Sequence, residues 1–227
     1  MRQAWALVLA LVLVPGAWGG ERRDALQASA VWAPALVALG LAATPADDGL
    51  SRWARRETPL FGGTAGARRA SDVLLGAGLG LALASTWLVP KEARAWDRRL
   101  GALVATGAGV FALKRLTGRP RPDGSDDLSF PSGHAALAFA AATLTQHALA
   151  RSHLAPGPRR ALGLAAWGMA AATAWARVEA GAHYPSDVLA GAALGGLTVR
   201  FTLAGGEAGL SWGGDVGPRW HFRHLWR

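Results

Sequence analysis

Two short stretches of this chain carry residue types that could perform chemistry on a phosphate group. Residues 130–134 read Phe-Pro-Ser-Gly-His, and residues 177–187 begin with arginine, end with aspartate and contain His183. Lys114 and Arg121 precede both stretches. An imidazole can act as a nucleophile, an acid or a base, and lysine and arginine bind phosphate oxygens. This set of side chains predicts a phosphate site that needs no metal ion.

Lys114 and Arg121 would hold an anion in different ways. Lysine supplies a point charge, whereas the planar guanidinium of arginine can bind two phosphate oxygens at once. Taken alone, the stretch Lys-Arg-Leu-Thr-Gly-Arg-Pro-Arg-Pro at 114–122 is better explained as a basic loop beside a membrane. The neighbouring motifs change this interpretation in favour of a phosphate site.

The stretch 131–134 stands directly before a run of alanines, which indicates the start of a helix. Ser132 is a suitable N-cap, and Gly133 allows close approach of the backbone, so free N–H groups would face an anion. His134 would project from the first turn beside that anion. By itself, His134 is better explained as a solvated residue near a helix cap.

His183 and Asp187 form the second candidate pair. Their spacing suits a carboxylate that accepts the Nδ1 proton of the imidazole and directs Nε2 outward. This orientation would make His183 a nucleophile or a base. Taken alone, the pair is explained just as well as an interfacial histidine followed by a helix-capping aspartate.

Six apolar stretches must position these motifs. They lack the alternation of a half-buried strand and are rich in alanine and leucine, so each is predicted to be a helix. We therefore expect an all-α fold, a six-helix transmembrane bundle, although several stretches are shorter than the roughly twenty residues of an isolated membrane span. The stretches are Leu26 to Thr44, Val73 to Val89, Leu100 to Leu113, Ala135 to Ala150, Ala161 to Ala176 and Val188 to Gly205.

Composition narrows the classes of partner. The 227 residues fit one domain, 51% are hydrophobic, and the formal net charge is +9. The arginines lie in short patches between apolar runs, which favours anionic lipid or phosphate and argues against nucleic acid. The chain has no cysteine, so disulfides and thiolate chemistry are excluded, and no spacing resembles a zinc site.

The two ends of the chain differ from the central part. Residues 1–20 combine Arg2, an apolar run and small residues after Pro15, which is typical of an export signal; an uncleaved N-terminal anchor is the alternative. Residues 21–206 form the predicted helical domain. Residues 207–227 form a basic and aromatic tail, either interfacial or solvated.

Together, the three motifs resemble those of the type 2 phosphatidic acid phosphatase superfamily, which includes lipid phosphatases, class A acid phosphatases and vanadium haloperoxidases. Its motifs are Lys, six residues and Arg-Pro; Pro-Ser-Gly-His; and Ser-Arg, five residues, His, three residues and Asp. The match runs from Lys114 to Asp187, in order and at helix boundaries. Ala176 replaces the serine of the third motif, so one phosphate hydrogen bond is expected to be missing or replaced.

The resemblance implies metal-independent hydrolysis through a phosphohistidine, with no cofactor. His183, oriented by Asp187, would attack phosphorus, while His134 would protonate the leaving group and then activate water. Preorganised charges of this kind usually dominate catalysis of phosphoryl transfer. The nonbridging oxygens would be held by Lys114, Arg121, Ser132, Gly133 and Arg177.

The apolar helices favour a phosphorylated lipid as substrate and a bacterial inner membrane as the location, and the resemblance implies a site that faces the periplasm. A cleaved signal and the arginine-rich connection 45–70 both conflict with that orientation. A soluble periplasmic acid phosphatase is the main alternative. Vanadate-dependent halide oxidation and a non-enzymatic membrane transport or binding protein are the others. Compatible lipids include phosphatidic acid, phosphatidylglycerol phosphate, undecaprenyl diphosphate and lipid A phosphates.

Overall fold

The computed structural model describes residues 29–90 and 95–204, and the backbone of residues 208–213 and 217–222. A 3-10 turn, Ser85–Leu88, follows directly after the helix Thr64–Ala84. In the tail, two strands pair antiparallel: β1 (Ala208–Gly213) and β2 (Gly217–Phe222). The signal-like segment 1–20 lies outside the described residues. The described helices are α1 (Ser29–Ala42), α2 (Ala46–Glu57), α3 (Thr64–Ala84), α4 (Trp96–Thr117), α5 (Gly133–Ala150), α6 (Pro156–Glu179) and α7 (Pro185–Ala204).

The helical body confirms the all-α prediction, and the six apolar stretches correspond to α1, α3, α4, α5, α6 and α7. The predicted count of six is not confirmed, because the described residues also contain α2, in a segment interpreted as a polar connection. The buried face of α2 consists of Asp47, Ser51 and Ala54. These small or polar side chains do not form an apolar stripe, so the sequence lacks the repeated apolar positions that would predict a helix here.

Among the described residues, three helical segments have the length and apolar composition needed to cross a membrane: Thr64–Leu88, Trp96–Thr117 and Pro185–Ala204. Large apolar side chains point outward from two of them, since Val73 is 67% exposed and Val104 is 71% exposed. Outward apolar surface of this kind is suited to contact with lipid chains. Segment length and surface therefore both support a membrane location.

The central helix α5 packs against α3, α4, α6 and α7. Its approach to α7 is especially close: a Cβ built on Gly191 would lie 2.5 Å from the carbonyl oxygen of Ser132, and one on Gly195 would lie 2.1 Å from that of Ala136. Contacts at these distances require glycine, as in small-residue helix interfaces of membrane proteins. The start of α5 is therefore held against the first half of α7.

Glu179, at the end of α6, anchors the connection between α2 and α3. It is fully buried, and its carboxylate accepts hydrogen bonds from the backbone N–H groups of Leu60 and Phe61, each at 3.1 Å. The indole N–H of Trp175 also donates to it. These bonds satisfy a carboxylate that would otherwise be costly to bury. They also fix the segment that leads into α3 against the end of α6.

Replacing Gly195 with alanine should destabilise the fold by about 1–3 kcal/mol, because the added methyl group meets backbone that can move only with the whole helix. Gly107→Ala is the matched control, since nothing lies within 4 Å of a Cβ there and helix propensity favours alanine. Thermal unfolding in detergent compares the two variants. Equal midpoints for Gly195→Ala and wild type would contradict the close contact.

Candidate active site

The three motifs meet at one end of the helical body because each lies at a helix terminus. Lys114 is in the last turn of α4, and Ser132 is the N-cap of α5. Arg177 is in the last turn of α6, and Asp187 is in the first turn of α7. The backbone N–H of Ser132 donates to the Asp187 carbonyl at 3.0 Å, which joins the second and third motifs directly.

His183 lies between α6 and α7 and is 2% exposed. Its Nδ1 is 2.7 Å from the backbone carbonyl of Ser129, whereas the nearest carboxylate oxygen of Asp187 is 3.9 Å away. The expectation that Asp187 accepts the Nδ1 proton is therefore wrong in this structure, because the loop carbonyl occupies that place. A carbonyl only accepts, so Nδ1 carries the proton and the lone pair is on Nε2.

The surroundings of His183 keep its imidazole neutral. Burial lowers its pKa well below the ordinary value of 6.5, and the positive charges of Lys114, Arg177 and Arg121 lower it further. The hydrogen bond to Ser129 acts in the opposite direction but does not compensate. A neutral imidazole at neutral pH retains the lone pair that a nucleophile needs.

Asp187 is fully buried, and its carboxylate is held by several donors. One oxygen accepts from Nη1 of Arg119 at 2.6 Å; the other accepts from the Ser129 hydroxyl at 2.5 Å and the Tyr184 N–H at 2.9 Å. Asp187 thus fixes Ser129, whose carbonyl in turn fixes His183. The influence of Asp187 on the ring orientation is indirect.

Arg119 is a residue that the sequence reasoning missed. Its guanidinium binds Asp187 and, through Nη2, Asp47 on α2 at 2.8 Å, and it lies 4.0 Å from the centre of the Tyr184 ring. The only sequence signal for Arg119 is its place in the basic stretch 114–122, in which the motif matches Arg121 instead. Asp47 also accepts from Ser186, so α2 is tied to the start of α7.

Lys114 and Arg121 are both turned into the loop that joins α4 to α5. The ammonium group of Lys114 donates to the Leu128 carbonyl and lies 3.5 Å from that of Ser129. Nε of Arg121 pairs with Asp126 at 2.7 Å. Because the Arg121 pair uses Nε, its terminal fork is not engaged by that carboxylate.

Arg177 is positioned by α3. Its Nη1 donates to the hydroxyl of Ser71 at 3.2 Å, and its buried Nε has no hydrogen-bond partner within the described ranges. Ala176, at the position of the motif serine, is fully buried. The only hydroxyl found bonded to Arg177 in the described part therefore comes from α3. A buried donor without a partner is costly unless a ligand supplies the acceptor.

Ser132 is the N-cap of α5, as predicted, because its hydroxyl accepts from the backbone N–H of Ala135 at 3.4 Å. It is fully buried. The amides of Gly133 and His134 open the helix, where N–H groups lack intrahelical partners. These amides supply the positive helix end that the sequence indicates for anion binding, while the Ser132 hydroxyl is used in capping.

His134 has a carboxylate partner that the sequence did not reveal. Its Nε2 lies 2.9 Å from Oδ1 of Asp72 on α3. Burial lowers the pKa of His134, as does the charge of Arg177, whereas Asp72 raises it and Arg121 lowers it. Arg121 and Arg177 therefore act electrostatically on both imidazoles.

The fold brings two histidines and several cationic side chains to one end of the helical body. Residues 98–207 match the sequence model of the PAP2 superfamily, and that range contains all three motifs. The resemblance to this superfamily is therefore confirmed. Within the described residues, no group of three or more His, Asp or Glu side chains could hold a metal ion.

Two curated relatives are phosphatases by name. The chain is 38% identical over 109 residues to a lipid A 1-phosphatase of Porphyromonas gingivalis, covering 46% of this chain and 23% of the relative. It is 36% identical over 125 residues to a decaprenylphosphoryl-5-phosphoribose phosphatase of Mycobacterium tuberculosis, covering 51% and 63%. The chain thus spans less than two thirds of either relative's length.

Two solved structures share the fold. A transmembrane PAP2-type phosphatidylglycerolphosphate phosphatase of Bacillus subtilis superposes with a TM-score of 0.60 at 21% identity, covering 78% of this chain and 94% of that one. LpxE of Aquifex aeolicus gives a TM-score of 0.50 at 25% identity, covering 68% and 93%. The first is described as transmembrane, in agreement with the three apolar helices.

Replacing Arg119 with glutamine should destabilise the protein by about 3–5 kcal/mol, because two buried carboxylates lose their shared cation. Arg115→Gln is the control: Arg115 is also basic, but it lies on α4, is exposed and stacks over the Phe111 ring. We expect that control to cost less than about 1 kcal/mol. Similar thermal midpoints for both variants would show that Arg119 is not a structural cation.

Proposed function

We propose that this protein is a phosphatase of phosphorylated lipids that works through a phosphohistidine on His183, without a metal ion. The observation that carries the proposal is the convergence of charges on two imidazoles: Arg121 and Arg177 act on both His134 and His183, and Lys114 acts on His183. The buried, unpartnered Nε of Arg177 supports an anion as the ligand of this site. Such an anion would enter a place where charge and donors are already arranged.

In the first step, the lone pair on Nε2 of His183 attacks phosphorus. The bond between phosphorus and the leaving oxygen breaks as the new N–P bond forms. The leaving oxygen takes a proton from His134, which acts as the general acid. This step leaves a phosphohistidine and a neutral alcohol, or a lipid monophosphate when the substrate is a lipid diphosphate.

In the second step, water attacks the phosphohistidine. His134, now neutral, removes a proton from the water, and the N–P bond breaks. Phosphate leaves, His183 regains its lone pair, and His134 returns to its protonated form. Each histidine thus ends the cycle in the state in which it began.

Protein groups around His183 suit the charge that this cycle creates. Phosphorylation at Nε2 makes the ring cationic, and its Nδ1–H already donates to the Ser129 carbonyl at 2.7 Å. The Asp187 carboxylate, 3.9 Å away, stabilises that positive charge through space. Lys114, Arg121, Arg177 and the Gly133 amide would bind the nonbridging oxygens, whose negative charge they offset.

A lipid substrate is supported by the three apolar helices and by the relatives, whose names refer to lipid A and to a decaprenyl-linked phosphoribose. We place the enzyme in a bacterial inner membrane with the site facing the periplasm, by resemblance to the superfamily. The proposed reaction requires only that the phosphate or diphosphate of the lipid is accessible to His183. The shape of the groove that binds the lipid would then determine which lipids are substrates.

Purified protein should release phosphate from a panel of phosphatidic acid, phosphatidylglycerol phosphate and undecaprenyl diphosphate, and EDTA should leave the rates unchanged. Brief incubation with labelled substrate should trap an acid-labile, alkali-stable phosphoenzyme in wild type and none in His183→Ala. Label that survives the substitution would remove His183 from its role. Loss of activity in EDTA, restored by a divalent cation, would contradict the metal-free mechanism.

The acid limb of the profile of kcat/KM against pH should lie below pH 6.5, the ordinary pKa of histidine. His183 must be neutral to attack, and its pKa is lowered, so the reactive form persists as the pH falls through the usual range of histidine titration. Initial rates with a soluble phosphate monoester, measured from about pH 4 to about pH 9 so that the range spans the ordinary pKa of histidine, would locate this limb. A midpoint at or above 6.5 would show that burial and the cations do not control this histidine.

A further inference from the structure

Asp72 lies on α3, outside the three motifs and outside the residues that match the superfamily model. Its Oδ1 is 2.9 Å from Nε2 of His134. From Val73 onward, α3 is apolar and forms part of a segment able to cross a membrane. Asp72 stands directly before that apolar run, and its partner is the histidine of the second motif.

We infer that Asp72 is a positioning residue that orients His134 as the general acid of the reaction. This inference rests on the proposed phosphatase function and assigns a further residue to the same site. Because Nε2 of His134 donates to Asp72, Nδ1 is the ring atom left to exchange a proton with the leaving group. No hydrogen bond engages Nδ1 among the residues that the structure describes.

The neighbours of His134 explain why a carboxylate is needed there. Arg177 from α6 and Arg121 from the loop before α5 both disfavour a second proton on the ring, and burial acts in the same direction. Asp72 from α3 is the group that opposes them. A general acid must carry that proton, so Asp72 supports the form of His134 that the first step consumes.

The position of Asp72 is itself fixed by its neighbour. Ser71 accepts a hydrogen bond from Arg177 and donates to the Arg68 carbonyl at 2.7 Å, which sets the rotation of α3 at the site. The Asp72 side chain is 66% exposed, so its ion pair with His134 adds little to stability. An effect of Asp72 on the reaction can therefore be separated from an effect on folding.

The test compares wild type, Asp72→Asn and Asp72→Glu on two phosphate monoesters, an alkyl phosphate and p-nitrophenyl phosphate. Asp72→Asn should lower kcat/KM for the alkyl ester by about tenfold or more, because an alkoxide cannot leave without a proton. The p-nitrophenyl ester, whose leaving group needs little protonation, should be slowed much less. The basic limb of the pH profile should move to lower pH, and Asp72→Glu should restore part of both effects.

Asp127→Asn is the matched control, since Asp127 is an exposed acid in the connection between α4 and α5 and is not among the groups that shift the pKa of His134. The kcat/KM values of this variant for both esters, and the basic limb of its pH profile, should equal those of wild type. Equal slowing of both esters by Asp72→Asn, with an unmoved basic limb and an unchanged thermal midpoint, would overturn the inference alone. A wild-type protein that releases phosphate from neither ester nor any lipid phosphate would overturn the proposed function with it.

Discussion

The structure depends first on the close approach of α5 and α7. Gly191 and Gly195 let the backbone of α7 touch that of α5, and the Ser132 N–H then reaches the Asp187 carbonyl. Because of this contact, two motifs about fifty residues apart in sequence become one rigid unit. Helix packing therefore positions the amides at the start of α5 and the imidazole of His183. The loop between α4 and α5 then adds Arg121 and the Ser129 carbonyl.

Charge balance is the second constraint, and Arg119 provides it. Without this cation, Asp47 and Asp187 would be two carboxylates buried close together, which is unfavourable. Asp187 in turn holds Ser129, and the Ser129 carbonyl sets the tautomer of His183. His183, the proposed nucleophile, is thus oriented by a chain of contacts that begins on α2, a helix outside the range matched by the superfamily model.

Much of this architecture could be predicted from sequence, because it depends on local patterns. Alanine-rich apolar runs predict the helices, and the Ser132 cap follows from Ser-Gly before such a run. The contacts of Ser129, Arg119 and Asp72 could not be predicted, since each joins elements that are distant in sequence and carries no periodic signal. The wrong partner for Nδ1 of His183 has the same cause: spacing places a carboxylate nearby, but a backbone carbonyl from another segment lies closer.

The buried carboxylate of Glu179 restricts how the chain length can vary. It holds the backbone at Leu60 and Phe61, while Ser71 and Asp72 must face the site one short stretch later. Each residue turns a helix by about 100°, so one insertion or deletion between Phe61 and Ser71 would carry both side chains to another face of α3. Among homologues that keep this arrangement, the number of residues between these two points should therefore be constant.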